Sequence, residues 1–160
     1  MSDFTHLDEK GRARMVDVGA KDVTERRATA RGRLRTSAGT VERIVQGDLP
    51  KGDVLAVART AAIMGAKKTS DLIPLCHPLP LSAIEVSFAA ADEPGVLEIE
   101  ARVAVCAKTG AEMEALTAVA IAGLTVYDMC KAVDKNMTLT DVRLVEKSGG
   151  RSGHFRREGE

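Results

Sequence analysis

The spacing of hydrophobic residues changes period several times along the chain, and each change predicts an element. A short apolar patch, 15-MVDV-18, precedes 26-RRATARGRLR-35, where small or apolar residues alternate with basic ones as in a strand buried on one side. From Ser37 to Gln46 the pattern fits a short helix stopped at Gly47, and 48-DLPKG-52 is a turn. Asp53 is the expected N-cap of a helix over 54-VLAVARTAAIMGAKK-68, which is rich in alanine and apolar at helical spacing. Alternation returns in 82-SAIEVSFAAA-91 and 96-VLEIEARVAVCAK-108, on either side of the turn 92-DEPG-95, and predicts an antiparallel hairpin. A long helix from about Glu112 to Val133 follows Gly110, and 138-TLTDVRLVEK-147 reads as a last strand.

The order strand, helix, strand, strand, helix, strand is the ferredoxin-like pattern. The expected fold class is therefore α+β, a two-layer sandwich with an antiparallel sheet carrying helices on one face. Residues 1–14, polar and aperiodic, are expected to be a flexible N-terminus, residues 15–147 a single domain, and residues 148–160 a Gly-rich basic C-terminal tail. The middle of the long helix, 115-ALTAVAIAGLTV-126, is apolar or small all the way round, whereas a helix lying on a sheet with its other face in water is amphipathic. In a short chain the second cover is most simply another subunit, so an oligomer is expected, with Gly123 and the helix alanines at the contact.

One stretch obeys neither period. In 72-LIPLCHPLPLS-82, Pro74, Pro78 and Pro80 forbid a continuous helix and interrupt any central strand. What remains is a stiff apolar loop with Cys76 and His77 at its centre.

Composition narrows the classes. A chain of 160 residues can bury a sizeable core as one domain, here built from aliphatic residues because aromatics make up only 2%. Lys plus Arg and Asp plus Glu balance at 23 each, so no global field recruits nucleic acid or anionic lipid, and neither is expected as a partner. The N-terminal sequence lacks a signal-type apolar core and the longest apolar run is too short to span a bilayer, which points to a cytoplasmic protein without a membrane. Cys76, Cys106 and Cys130 are widely spaced, without a CxxC pair, which argues against disulfides, a zinc ribbon or an iron–sulfur cluster.

Polar groups bracket the apolar helix, 112-EME-114 at its start and 127-YDMCK-131 near its end. Glu112 and Glu114 fit either a complement to the helix dipole or partly desolvated acids, and Asp128 with Lys131 either a surface ion pair or an acid–base group. Lys51 lies in the turn, and Lys67 and Lys68 close the preceding helix, where they suit its dipole as well as a phosphate. The glycines of 147-KSGGRSG-153 would let backbone amides approach an anion, and a frayed basic terminus explains them equally.

Taken in order, 15-MVDV-18, 67-KKTSDLIPLCHPLPL-81, 109-TGAEMEALTA-118, 127-YDMCKAVDK-135 and 147-KSGGRSG-153 closely resemble the cyclic pyranopterin monophosphate synthase family of molybdenum cofactor biosynthesis, over about Met15 to Gly153. Ala111, where a valine is expected, and Arg151, where a lysine is common, depart mildly. The resemblance implies a lyase that converts a cyclised dihydroguanosine triphosphate, supplied by an upstream radical enzyme, into cyclic pyranopterin monophosphate and pyrophosphate, with no cofactor or metal. It implies Lys51, Asp128 and Lys131 as the proton-transfer group. Leu75, Cys76, His77, Met113 and Glu114 would hold the heterocycle, with Glu112 and His77 assisting. Lys147, Arg151, Arg26, Lys67 and Lys68 would take the triphosphate. It further implies a homohexamer, a trimer of dimers, with active sites between subunits. Rival readings are a non-catalytic oligomeric nucleotide-binding protein and a zinc hydrolase using His77, Cys76 and carboxylates.

Overall fold

A computed structural model describes residues 10–160, so residues 1–9 of the expected flexible N-terminus lie outside the described residues. The elements are β1 (Thr24–Arg35), α1 (Ala38–Gln46), α2 (Val54–Lys67), α3 (Thr69–Leu72), β2 (Leu81–Ala90), β3 (Val96–Ala107), α4 (Glu112–Cys130), β4 (Thr138–Ser148) and β5 (Phe155–Arg156). They form one antiparallel sheet in the order β2-β3-β1-β4-β5, the ferredoxin-like arrangement with one strand added at an edge.

The alternation in β1 sorts its residues between the two faces. Ala28, Ala30, Gly32 and Leu34 are buried under the helices. The intervening arginines stand on the open face, where Arg31 meets Glu100 at 2.6 Å, Arg33 meets Glu98 at 3.2 Å and Arg35 meets Glu93 at 2.6 Å. These solvated pairs add little stability singly; they let a sheet with one wet face keep its register. β3 supplies the complementary buried row, Leu97, Ile99, Ala101, Val103 and Val105.

Both α1 and α2 are capped, α2 by the expected Asp53 and α1 by Ser37, which precedes the helix instead of opening it. Ser37 Oγ accepts from Thr40 N at the start of α1, which ends at Gly47 in the left-handed region with φ 71°. Asp53 Oδ1 accepts from Ala56 N at the start of α2.

α4 is the central element, packed against α2 on one side and across β1, β3 and β4 on the other. Small residues seat it closely. A Cβ on Gly32 would come within 2.6 Å of Val119 Cγ1, one on Gly65 within 2.7 Å of Ile121 Cγ1, and one on Gly123 within 2.5 Å of Leu139 Cδ1. Gly123 thus faces β4 of its own chain, and the expectation that it lies at a subunit contact is corrected by that packing. With 19 residues α4 is long and apolar enough to cross a membrane, but it is the core helix of this fold. It stops at Cys130, short of Val133, because the chain turns there with Val133 N donating to Cys130 O at 2.8 Å. In the segment expected as a tail, Phe155 and Arg156 pair with Lys147 and Glu146 as β5, an element too short to carry a periodic signal.

Candidate active site

Two groups of polar side chains gather at opposite ends of α4. At its C-terminal end, Val126, Met129 and Cys130 are buried among Ile44, Leu49 and Val54, which turns Asp128 and Lys131 outward. The same cluster anchors the 48–52 turn through Leu49, and Gly52 N donates to Leu49 O at 3.0 Å, so Lys51 is delivered to Asp128. Lys51 Nζ donates to the Asp128 backbone oxygen at 2.9 Å and to Oδ2 at 3.3 Å, while Lys131 Nζ donates to Oδ1 at 2.7 Å. The hydrogen bond from Lys131, then that from Lys51, holds the Asp128 carboxyl below the usual carboxylate range. The same bond from Lys131 to Asp128 raises the lysine above its ordinary value, so this contact favours its ammonium form. A working lysine base requires the opposite shift.

At the N-terminal end of α4 a cleft of about 380 Å³ opens between the proline loop and the first helical turn, with Cys76, His77, Glu112, Met113 and Glu114 in its wall. The loop is rigid because its prolines fix φ, Cys76 N donates to Ile73 O at 3.1 Å, and Leu79 and Leu81 pack onto the core. Leu75, Cys76 and His77 are half-buried there. Glu112 accepts from Lys147 Nζ at 2.8 Å, with both side chains half-buried. Glu114 is only 4% exposed and forms no ion pair among the described residues. Burial raises its carboxyl to about 6, its own backbone N–H opposes this, and Glu112 adds to the rise. Burial, then Glu114, pushes the Cys76 thiol up, which suits a packing role and not a nucleophile.

A second cleft, of about 320 Å³, adjoins the first through their shared Lys21 and is lined also by Thr24, Arg26, Gly150, Arg151 and Ser152. Arg26 Nε donates to Ala107 O at 3.0 Å and Nη2 to Lys108 O at 3.2 Å, which fixes the guanidinium. Gly150 lies directly on it, where any Cβ would overlap the guanidinium. Thr24 Oγ1 is buried here with no hydrogen-bond partner among the described residues.

Of the residues singled out from the sequence, Lys51, Asp128 and Lys131 form one cluster, and Leu75, Cys76, His77, Glu112, Met113, Glu114 and Lys147 a second. Arg26 and Arg151 form a third, contiguous with the second. Lys67 and Lys68 are exposed at the end of α2 and line neither cleft. Lys21 and Thr24 escaped sequence reasoning because a lone lysine and threonine in a polar stretch carry no periodicity; proximity to 15-MVDV-18 was the usable signal. Among the described residues no group of three or more His, Cys, Asp or Glu side chains is arranged to hold a metal ion.

These features define a class: a ferredoxin-like α+β protein with paired carboxylates and lysines at the ends of one buried helix and cation-lined clefts beside it. The chain belongs to the MoaC family, whose sequence model matches residues 15–150. It is 59% identical over 158 residues to the cyclic pyranopterin monophosphate synthase of Heliobacterium modesticaldum, covering 99% of each chain. It is 60% identical over 155 residues to that of a Roseiflexus species, covering 97% of this chain and 98% of the relative. Over 156 residues it is 59% identical to that of Desulfitobacterium hafniense, covering 98% of this chain and 95% of the relative.

Proposed function

We propose that the protein is a cyclic pyranopterin monophosphate synthase, a lyase of molybdenum cofactor biosynthesis. It takes a small nucleotide-derived substrate, the cyclised dihydroguanosine triphosphate, and releases pyrophosphate. The observation that carries the reading is Asp128 clasped by Lys51 and Lys131 in a chain whose other end of α4 offers a heterocycle-sized cleft joined to a cationic one. Opening the imidazole-derived ring and closing the pterin needs protons moved in both directions. Lys131 and Lys51, sharing the Asp128 carboxylate, are the proton carriers on this reading. A sugar oxygen then attacks the α-phosphorus and pyrophosphate departs, its charge met by Lys147, Arg151 and Arg26.

The heterocycle lies against Leu75, Cys76, His77, Met113 and Glu114, with Glu112 orienting Lys147. Lys67 and Lys68 reach the triphosphate only if a neighbouring subunit brings them to it. That condition leads to the assembly. At ~1.5 Å rise per residue, Glu114 and Asp128 are ~21 Å apart along α4, too far to act on one bond. The outer face of α2 and α4 leaves Val57, Met64 and Leu124 exposed. A homohexamer made as a trimer of dimers, with sites between subunits, covers such a face and joins the two ends. A cytoplasmic location accords with three free cysteines.

The direct test supplies the cyclised substrate from its upstream radical enzyme and measures pyrophosphate. Stoichiometric release by the wild type, with strong loss in Asp128→Asn, is expected. Substrate binding with no release would make it a binding protein instead.

A further inference from the structure

The last residues of the chain do more than trail from the sheet. Arg31 on β1 and Arg143 on β4 are directly opposite across the ladder, a like-charge pairing that is unfavourable by itself. Glu160 resolves it. Its side chain, 11% exposed, bridges the two guanidinium groups, with Oε2 accepting from Arg31 Nη1 at 2.8 Å and Oε1 ion-paired with Arg143. Arg31 is oriented for this by Glu100 at 2.6 Å. Burial opposes charge on Glu160, but the hydrogen bonds from Arg143 and Arg31 outweigh it and hold the carboxyl below its ordinary range.

From this anchor the chain runs back beside β4. Arg157 N donates to Val145 O and its Nε to Leu144 O, both at 2.8 Å, Lys147 pairs with Phe155, and His154 Nε2 meets Glu146 Oε1 at 2.6 Å. A two-residue strand at a sheet edge is a weak hold, so the ionic anchor carries much of the fastening. At the other end of this strap is the turn Gly149–Gly153, with φ of 94° at Gly149 and 72° at Gly150, conformations with no side chain to restrain them. That turn sets Gly150 on the Arg26 guanidinium and places Arg151 at the cationic cleft.

We infer that Glu160 is a positioning residue: by pinning the strap 154–160 across β4 to Arg31 and Arg143, it fixes the 149–153 turn and holds Arg151 where the triphosphate binds. This rests on the proposed role of Arg151 in taking that triphosphate. It makes the grip on phosphate depend on a salt bridge on the open face of the sheet, away from the reacting atoms.

The test is a double-mutant cycle on the full chain. Glu160→Gln keeps the shape of the side chain and removes its charge. It is expected to raise KM about fivefold to tenfold with kcat within about twofold, and to weaken binding of inorganic tripolyphosphate in parallel. Amide exchange at residues 151–154 should speed up. In an Arg151→Ala background, Glu160→Gln should add nothing further to KM, and Glu160→Asp should recover part of the loss. If Arg151→Ala raises KM while Glu160→Gln leaves KM and tripolyphosphate affinity unchanged, the positioning role is wrong even should the melting temperature fall. Additive effects of the two substitutions would also overturn it, because Glu160 would not then be acting through Arg151. An unchanged KM in Arg151→Ala itself would remove the phosphate role on which the inference stands, and so separates that failure from the other two.

Discussion

Glu114 shows how much a single buried carboxyl can reveal. Glu112 has Lys147 beside it at 2.8 Å, whereas Glu114, two residues on and 4% exposed, has no cation partner among the described residues. With its carboxyl raised to about 6 from the ordinary 4.5, the folded state binds a proton that the unfolded state has already released. Glu114 therefore costs no stability below about pH 4.5, and its penalty grows as pH rises through 6, reaching roughly 2 kcal/mol at neutrality. Glu114→Gln should be more stable than the wild type at pH 8 by about that amount and indistinguishable from it near pH 4, as read by urea unfolding at several pH values. The lysines call for a different substitution. Arginine keeps the cation but does not release its proton, so Lys51→Arg and Lys131→Arg should lose turnover by roughly 10²–10⁴-fold with substrate binding retained. Near-normal kcat in both would leave Asp128 as the only acid–base candidate in that cluster. The family resemblance grouped Asp128, Lys51 and Lys131, but residue pattern alone did not show that Lys51 and Asp128 meet within one chain, because Lys51 reaches Asp128 from 77 positions away through a turn pinned by Leu49. The raised Lys131 was also out of reach: which way a lysine shifts depends on a hydrogen-bond length and not on residue type.

At the scale of elements the sequence was far more informative, since strand and helix periods are local. β1, the β2–β3 hairpin, α1 up to its stop at Gly47, α2 with its cap Asp53, and β4 all lie where alternation and capping residues place them. The proline loop was likewise foreseeable, its rigidity following from fixed φ angles. β5 was not, because two residues give no period. The direction of Gly123 was not either, because a helix apolar on every side does not say which side meets its own sheet. The glycines of the helices offer a contrast that stability measurements can read. Gly65→Leu drives a side chain into Ile121, whose Cβ already lies 3.1 Å from the position a Gly65 Cβ would take, and should destabilise by ~1–3 kcal/mol. Among the described residues nothing lies within 4 Å of the position a Cβ on Gly39, in α1, would occupy, so Gly39→Ala should stabilise by up to ~1 kcal/mol through helix propensity alone. Thermal unfolding of the two variants should move in opposite directions, and a shared direction would mean that packing around α4 is looser than these contacts require.

For the whole molecule, the decisive fact is that Lys51 and Asp128 touch within one chain, while the cleft that holds His77 and Glu114 lies at the far end of α4. A site divided between subunits must therefore split along the helix, with Lys51, Asp128 and Lys131 from one protomer facing the proline loop of its partner. Division between Lys51 and Asp128 themselves is excluded by their 3.3 Å contact. Complementation distinguishes the arrangements. In a mixture of Asp128→Asn and His77→Ala chains assembled at random, half the dimers are mixed, and one of the two sites in each is built wholly from unmutated halves. About a quarter of wild-type activity should return if the sites lie between subunits of a symmetric dimer. A mixture of Lys51→Ala with Asp128→Asn should recover nothing, because both changes strike the same half in every arrangement. Silence in both mixtures, in oligomers verified to contain both chains, would mean that each chain closes its own site. The ~21 Å between the ends of α4 would then have to be crossed by motion of the chain itself. Recovery in the Lys51 mixture alone would contradict the hydrogen bonds that define the cluster.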